Sequence, residues 1–224
     1  MITSHHNPTL QDVRRLLAGK RAATDASGER RFVAEGEDLI AAAERAGWTP
    51  ALHLRADVDV TAEALAKVSS LASGTRELAV YEQRWALVAQ PLCVALWGVR
   101  DPGNVGTVLR GARAFGATCV AIGPGTADPY GAKAVRASMG AIFEVAVVRV
   151  ANVAELPAPR VGLVAREGAT LAGTSAATLL IGAEREGLPP EVVEGCDAVA
   201  HIPIENESLN AAMAATIALY EVSR

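Results

Sequence analysis

Short apolar runs alternate with amphipathic, helix-like segments along the second half of this chain, and no other sequence feature constrains its fold as strongly. Residues 92–97 form a continuous apolar run, which is typical of a strand buried on both faces of a sheet. The later strand-like runs are 118–122, 142–150, 161–165, 179–181 and 198–202, and the helix-like segments are 105–115, 129–139 and 208–222. This order predicts an α/β fold, with a mostly parallel sheet that carries helices on both faces. Ligands of such sheets bind outside the carboxyl ends of the strands, so the loops there are the candidate site.

The first half of the chain has a smaller pattern of its own. Its helix-like segments are 8–18, 37–46 and 61–71, and its strand-like runs are 31–34, 52–55, 78–80 and 86–88. They predict a small α/β module that ends near residue 89, so that the chain divides into residues 1–89 and 90–224. Trp48 and Trp85 are expected to pack within this module.

Composition narrows the class of protein. Hydrophobic residues make up 50% of the 224, which is ample material for a buried core. No apolar run reaches the roughly 20 residues of a membrane helix, and the polar residues 1–7 lack the apolar core of a signal peptide. We therefore expect a cytoplasmic protein with no membrane partner. The spacing of Cys93, Cys119 and Cys196 matches no zinc or redox motif, so we expect small buried thiols and no bound metal.

Charge gives two opposing indications about nucleic acid. The net charge of −4 argues mildly against an RNA partner, because phosphate contacts usually need a basic surface. Basic residues nevertheless concentrate in the first 31 positions, and a local basic patch can exist on an acidic protein. The candidate RNA-binding residues there are Arg14, Arg15, Arg21 and Arg31. An ordinary solvated helix face and loop is the alternative interpretation.

The first candidate loop, residues 104–110, follows the first buried strand. Asn104 is placed to cap the helix that follows. Gly106, Arg110 and Arg113 share one face of that helix, where a glycine lets a ligand or another backbone come close. An arginine beside a helix N-terminus suits a phosphate or a developing anion. A simple exposed helix arginine is the alternative.

Two further loops follow later strands. Gly182 and Gly187 frame a loop that can wrap a small molecule and read an adenine edge with backbone groups, unless it is a plain glycine turn. After residues 202–204, Ser208 is expected to cap the last helix, with Asn210 in its first turn. That helix is rich in alanine, which indicates burial on several sides and a possible subunit interface.

Taken together, the three loops resemble the motifs of the TrmH/SpoU branch of the SPOUT methyltransferases. Those motifs read approximately N-x-G-x-x-x-R, G-x-E-x-x-G-[LI], and I-P-[MI] followed by S-L-N, and they occur here at residues 104–110, 182–188 and 202–210. The resemblance implies a sheet whose C-terminal segment is threaded into a deep trefoil knot. It also implies a homodimer with the active site at the interface, which transfers a methyl group from S-adenosylmethionine to a ribose 2′-hydroxyl of RNA.

The resemblance also implies roles for individual residues. Gly182, Gly187, Ile202 and Leu209 would hold the cofactor. The residues implied in catalysis are Arg110, Asn104, Glu184, Ser208 and Asn210, and Arg113 would join the RNA contacts. In the family, the motif-one arginine is the proposed general base. A charged guanidinium has no acceptor lone pair, so Arg110 could instead clamp a phosphate or stabilise the nascent alkoxide.

Residues 31–36 are similar to the substrate-binding module of ribosomal-RNA members of the family, which has a ribosomal L30e-type fold. Ribosomal RNA is therefore favoured over transfer RNA as the substrate. Three alternatives stay open: a transfer-RNA 2′-O-methyltransferase, a non-catalytic RNA-binding relative, and a nucleotide-binding oxidoreductase. The oxidoreductase is disfavoured because no G-x-G-x-x-G follows residues 92–97.

Overall fold

A computed structural model describes residues 1–19, 30–71, 74–87, 91–173, 175–205 and 209–224. Two candidate residues, Arg21 and Ser208, lie outside this described part. Within it, none of the helices combines the length and the apolar character that crossing a bilayer requires.

The first part of the chain forms a small three-stranded antiparallel sheet with helices. Its elements are α1 (Pro8–Leu17), β1 (Arg31–Glu35), α2 (Glu37–Arg45), β2 (Leu52–Arg55), α3 (Ala62–Ala66) and β3 (Glu77–Glu82). The strand order is β1-β3-β2. Leu10 and Val13 of α1 pack with Leu65 and Leu78 in a core that belongs to this sheet alone. The likeness to an L30e-type fold stays a prediction.

The second part forms a seven-stranded sheet in which every strand ladder is parallel. Its elements are β4 (Cys93–Leu96), α4 (Pro102–Ala114), β5 (Cys119–Ile122), α5 (Ala132–Ala137), β6 (Ala146–Arg149), β7 (Arg160–Leu163), β8 (Ala169–Thr170), β9 (Thr178–Ile181), α6 (Pro190–Glu194), β10 (Ala198–His201) and α7 (Ala211–Val222). The strand order is β6-β5-β4-β9-β7-β10-β8. The predicted mostly parallel sheet is confirmed.

Both faces of this sheet are covered, as its apolar strands require. Successive side chains of a strand point to opposite faces. Val94 and Leu96 of β4 accordingly join the core that includes α4 and α7. Cys93 and Ala95 join the opposite core, which includes Val192 of α6. The prediction of helices on both faces is confirmed.

The cysteines behave as structural thiols. Cys93 and Cys119 are buried neighbours on adjacent strands, and Cys196 is half-buried. A hydrogen bond with Cys119, together with burial, raises the pKa of Cys93 far above that of an ordinary thiol. Cys93 is therefore not a reactive thiolate at neutral pH.

Two predicted helix caps were wrong by a few residues. Helix α4 begins at Pro102 and is capped by Asp101, whose Oδ1 accepts from the Gly103 N–H at 2.6 Å, so Asn104 lies inside the first turn. Proline suits the first helical position and aspartate suits the cap, which explains the earlier start. Asn210 itself caps α7, accepting from the Ala212 and Met213 N–H groups at 3.0 and 3.2 Å. The cap expected at Ser208 is thus replaced by Asn210.

Three other segments are shorter than predicted. Residues 142–150 are not one strand, because a 3-10 turn (Ala141–Phe143) follows Gly140 at φ 90° and β6 begins only at Ala146. The helices expected at 61–71 and 129–139 contract to α3 and α5. Short amphipathic stretches give a clear apolar face but weak end signals, so such boundaries are hard to place.

Trp48 and Trp85 were expected to pack within the first module. Both also contact residues of the second part. Trp48 contacts Phe143 of the large sheet's layer, with ring centroids 5.3 Å apart, and its Nε1 donates to the Phe143 carbonyl oxygen at 2.9 Å. Trp85 contacts Tyr130 edge to face, with ring centroids 5.3 Å apart. Aromatic contacts therefore join the two parts into one continuous core. The division into residues 1–89 and 90–224 stays a prediction.

Candidate cofactor cavity and catalytic residues

A cavity of about 720 Å³ opens beyond the carboxyl ends of β7 and β9, where the parallel sheet predicts a ligand site. Its volume falls within the range of about 300–1,000 Å³ that is usual for small-molecule sites. All four residues predicted to hold a cofactor line it: Gly182, Gly187, Ile202 and Leu209. The structure therefore brings the second and third motif segments to one pocket.

The glycine loop after β9 is closed by its own backbone. Ala183 and Gly187 exchange two hydrogen bonds, of 3.1 Å and 2.9 Å. A Cβ atom on Gly182 would lie 2.2 Å from the Gly187 carbonyl carbon, and Gly187 has a φ of +68°. Both positions thus need glycine to form this tight loop, whose backbone groups face the cavity.

The walls of the cavity differ in polarity. Buried or half-buried apolar side chains form one part: Ile181, Leu188, Ile202, Ile204 and Leu209. Exposed charged side chains form another: Arg166, Glu167, Arg185 and Glu186. A ligand with an apolar or aromatic part and charged groups fits such a lining.

Three predicted catalytic residues meet beside this cavity in one hydrogen-bonded chain. Asn104 donates through Nδ2 to the Glu184 carboxylate and accepts through Oδ1 from Asn210 Nδ2 at 3.0 Å. Glu184 also lines the cavity. The amide of Asn104 therefore ties together α4, the glycine loop and the start of α7, which lie far apart in the sequence.

Within a single copy of the chain, Arg110 lies away from the cofactor cavity. It is exposed on α4 and does not line the cavity, and it makes no hydrogen bond or ion pair with any residue that the structure describes. Six residues separate it from Asn104, a rise of roughly 9 Å along a helix. Arg113, one turn further on, forms an ion pair with Glu144 through its Nε at 2.7 Å.

Gly106, on the same helix, serves packing between helices. A Cβ atom there would lie 2.2 Å from the Ala134 carbonyl oxygen and 2.7 Å from the Ala137 Cβ. The close partner is thus the backbone of α5, one of the two partners that the sequence allowed, rather than a ligand.

The predicted RNA-binding arginines of the first module take no part in the cavity. Arg14 and Arg15 lie in the last turn of α1, and Arg15 pairs with Asp12 at 3.0 Å. Arg31 begins β1. None of these three lines the cavity.

One wall of the site was not predicted from the sequence. Residues 163–167, which follow β7, line the cavity although no role was predicted for them. A usable signal was present, because the loop follows a parallel strand and ligands bind beyond the carboxyl ends of such strands.

Charge at the start of α4 is also fixed by neighbours. A hydrogen bond from Lys133, at 2.8 Å, lowers the pKa of Asp101 below its ordinary value, with a further contribution from the Gly103 N–H. Asp101 therefore stays ionised as a cap at neutral pH.

In the described ranges, no group of three or more His, Cys, Asp or Glu side chains is arranged to hold a metal ion.

A parallel sheet with a glycine loop and a cavity at its carboxyl edge defines an α/β protein built to hold a small molecule. Residues 91–220 match the model of the SpoU rRNA methylase family. The chain belongs to this family, as its three motif segments predicted.

Solved structures and curated proteins agree with that membership. An AdoMet-bound rRNA methyltransferase from Sinorhizobium meliloti is similar at a TM-score of 0.88 and 29% identity, over 99% of this chain and 96% of that one. AviRb of Streptomyces viridochromogenes, a SpoU methyltransferase solved with AdoMet, has a TM-score of 0.83 and 26% identity over 97% of each chain. The 23S rRNA (guanosine(2553)-2′-O)-methyltransferase RlmP of Bacillus subtilis is 36% identical over 55% of this chain and 54% of RlmP. The chain spans about half the length of the curated relatives it matches.

Proposed function

We propose that this protein is an S-adenosylmethionine-dependent RNA methyltransferase that modifies a ribose 2′-hydroxyl, with ribosomal RNA as its substrate. The observation that carries the proposal is the cavity of about 720 Å³ lined by Gly182, Gly187, Ile202 and Leu209, beside the hydrogen-bonded chain of Asn104, Glu184 and Asn210. The similar chains solved with AdoMet and the rRNA methyltransferase RlmP support the cofactor and the RNA class.

The residues of the cavity suit the cofactor chemically. S-adenosylmethionine supplies an electrophilic methyl group on a sulfonium when it is bound. The backbone of the loop between Gly182 and Gly187 would hold the adenine, and the apolar wall of Ile202 and Leu209 would pack against it. Glu184 brings a negative charge to the cavity, which favours a cationic ligand. The protein's contribution is to orient the donor and the hydroxyl for in-line attack and to exclude water.

In the reaction, the bound cofactor would supply the methyl group, the ribose hydroxyl would be held in line with it, and the hydroxyl proton would leave to phosphate or water. We propose that Arg110 clamps a substrate phosphate or stabilises the nascent alkoxide, because a guanidinium stays protonated at any working pH. Asn104, Glu184, Asn210 and Ser208 would position the ribose and the cofactor.

A homodimer is part of the proposal. Helix α7 exposes Met213 and Tyr220, and it packs against α4, the helix on which Arg110 is exposed. An interface on this face would bring Arg110 to the boundary between two copies. Light scattering of the Met213→Asp variant should then give a smaller mass than the wild type. Val58→Asp, an equally exposed apolar residue of the first module, should leave the mass unchanged.

We also propose that residues 1–89 form an RNA-binding domain, and residues 90–224 the catalytic domain with a knotted C-terminal segment. Arg14, Arg15, Arg21, Arg31 and Arg113 would contact RNA. The first four belong to the basic N-terminal stretch, and Arg113 lies one turn beyond Arg110 on α4.

The test joins cofactor binding to methyl transfer. Calorimetry should detect binding of S-adenosylmethionine, and ribosomal RNA should take up a labelled methyl group that mass spectrometry locates on a ribose. Arg110→Lys should lower turnover, since an ammonium cannot make the bidentate contact. Label in transfer RNA alone would favour the tRNA alternative. Cofactor binding without methyl transfer to any RNA would favour the non-catalytic relative, and failure to bind S-adenosylmethionine would overturn the proposal.

A further inference from the structure

A second cleft, of about 470 Å³, lies where the first module meets the edge of the large sheet, and it shares no lining residue with the cofactor cavity. Arg30, Trp48, Arg84 and Trp85 come from the first module, and Arg149 comes from the end of β6, the edge strand of the parallel sheet. Both parts of the chain are therefore needed to build it.

Two of its arginines lie over tryptophan rings. The guanidinium carbon of Arg84 lies 4.0 Å from the Trp48 ring centroid, and that of Arg149 lies 4.0 Å from the Trp85 ring centroid. A guanidinium over an aromatic ring is held there by cation–π attraction, and the N–H groups of a guanidinium can bind two oxygens at once.

The rings beneath these arginines are themselves fixed. Trp48 is buried and donates its Nε1 hydrogen to the Phe143 carbonyl oxygen at 2.9 Å. Trp85 packs edge to face on Tyr130, whose hydroxyl donates to the backbone carbonyl of Arg84. The tryptophan rings that contact the guanidinium groups are thus held in place. Less side-chain entropy is therefore lost when an anion binds.

The charge of the cleft is opposite to that of the whole chain. Three arginines face one carboxylate, Glu82, in a protein of net charge −4. Arg30, Arg84 and Arg149 are exposed, and none forms an ion pair with a carboxylate in the described ranges. Arg55 and Arg113, by contrast, are occupied by Asp59 and Glu144 at 2.8 Å and 2.7 Å. Uncommitted, pre-oriented guanidinium groups are suited to phosphate.

The cleft also lies at the carboxyl edge of the parallel sheet, the same edge as the cofactor cavity. Arg149 ends β6 and Gly182 follows β9, so both stand at the carboxyl ends of parallel strands. In the order β6-β5-β4-β9, the two strands are three intervals apart, roughly 14 Å at the usual strand spacing. A separation of this size corresponds to only a few nucleotides of an extended RNA strand.

We propose that this cleft is a phosphate clamp, in which Arg84 and Arg149, stacked on Trp48 and Trp85, grip the backbone of single-stranded RNA beside the target nucleotide. The inference rests on the proposed RNA methyltransferase function and adds a contact site outside the motif segments. It concerns affinity and registration, because phosphate contacts position an RNA without reading its sequence.

The experiment measures the affinity of a fluorescein-labelled, single-stranded RNA oligonucleotide of mixed sequence by anisotropy, over a series of KCl concentrations. On single strands, each phosphate contact contributes about 0.7 to the slope of log affinity against log salt. The double variant Arg84→Gln/Arg149→Gln should therefore lower the slope by about 1.4 and weaken binding roughly tenfold or more. Arg84→Lys/Arg149→Lys should keep the slope but bind more weakly than the wild type, because lysine keeps the charge without the stacked fork.

The matched control is Arg55→Gln, which removes an exposed arginine of the first module that is already paired with Asp59. Its slope and affinity should equal those of the wild type. Calorimetry with S-adenosylmethionine and far-UV circular dichroism accompany every variant. If the wild type binds the cofactor and the RNA, but both double variants keep the wild-type slope and affinity, the clamp is overturned while the proposed function stands. A wild type that binds neither ligand would overturn the proposed function.

Discussion

At the scale of single residues, Asn104 is the group on which the geometry of the site depends most. One planar amide supplies both a donor and an acceptor, and Asn104 uses the donor toward Glu184 and the acceptor toward Asn210. The sequence predicted all three residues for the site. It could not show that they contact each other, because the contacts span 80 and 106 positions.

Asn104→Asp tests this arrangement through charge. A carboxylate at position 104 would face that of Glu184, and two adjacent carboxylates disfavour each other's ionised form. We expect kcat for methyl transfer to fall roughly 100-fold, the cost of a misplaced reacting group. Activity should partly recover as pH falls, because one carboxyl of the pair takes up a proton and becomes a donor again. A pH–rate profile checks this.

The control for that profile is Thr107→Ala, an exposed position of the same helix whose hydroxyl donates only to the Gly103 carbonyl oxygen. It should keep the wild-type rate and pH dependence. An Asn104→Asp enzyme with the wild-type profile would mean that the Asn104–Glu184 contact does not matter for turnover.

At the scale of elements, two of the three glycines within α4, Gly106 and Gly111, have different surroundings. Gly106 is pressed against α5, where an added Cβ would lie 2.2 Å from the Ala134 carbonyl oxygen. Gly111 is also buried, but an added Cβ would lie 3.4 Å from the Thr216 hydroxyl oxygen and 3.7 Å from Leu219 Cδ1, which is near ordinary contact. The same substitution should therefore have opposite effects at the two positions.

Gly106→Ala is expected to lower the free energy of unfolding by about 1–3 kcal/mol, because the overlap is with backbone and must be relieved by moving a helix. Gly111→Ala should be neutral or stabilise by up to about 1 kcal/mol, since alanine restricts the unfolded chain and favours helix. Urea unfolding of both variants measures the difference. Equal losses at the two positions would contradict the close α4–α5 packing.

The elements differ in how far the sequence predicted them. β4, β5 and β9 were predictable because each is wholly buried and reads as an apolar run, interrupted only by Thr178 at the start of β9. β8 was not, because its two residues, Ala169 and Thr170, are exposed and carry no apolar signal. The start of α4 was misplaced because Asp101 and Asn104 are both acceptable caps, and only the position of Pro102 favours the earlier one.

At the scale of the whole molecule, the predicted boundary near residue 89 hides a shared core. Phe32 of β1 contacts Tyr130 and Phe143 of the second part at centroid distances of 4.9 and 5.9 Å. The sequence predicted a short strand at residues 31–34, but not the partners against which its side chains pack. Strand order and the packing between the two parts depend on long-range contacts, which periodicity within one segment does not encode.

This shared core predicts that the two parts unfold together. Phe32 is buried, and its ring also contacts Trp48 and Tyr81, so Phe32→Ala should lower the free energy of unfolding by about 3–5 kcal/mol. Phe32 contacts aromatic rings of both parts, so its loss should destabilise both parts together. The whole chain should therefore still melt in one transition. Far-UV circular dichroism and tryptophan fluorescence in urea should give coincident curves for the wild type and the variant.

Val33→Ala is the comparison that locates the effect. Val33 is the next residue of β1, but its side chain packs in the first module's own core. It should cost less than Phe32→Ala, because fewer atoms are removed from a smaller core. If both variants instead melted in two separate steps, with the loss confined to the first, the aromatic contacts between the parts would not couple them. The cleft of Arg84 and Arg149 would then join two independently moving bodies, and a clamp built across that junction could not keep a fixed distance from the cofactor cavity.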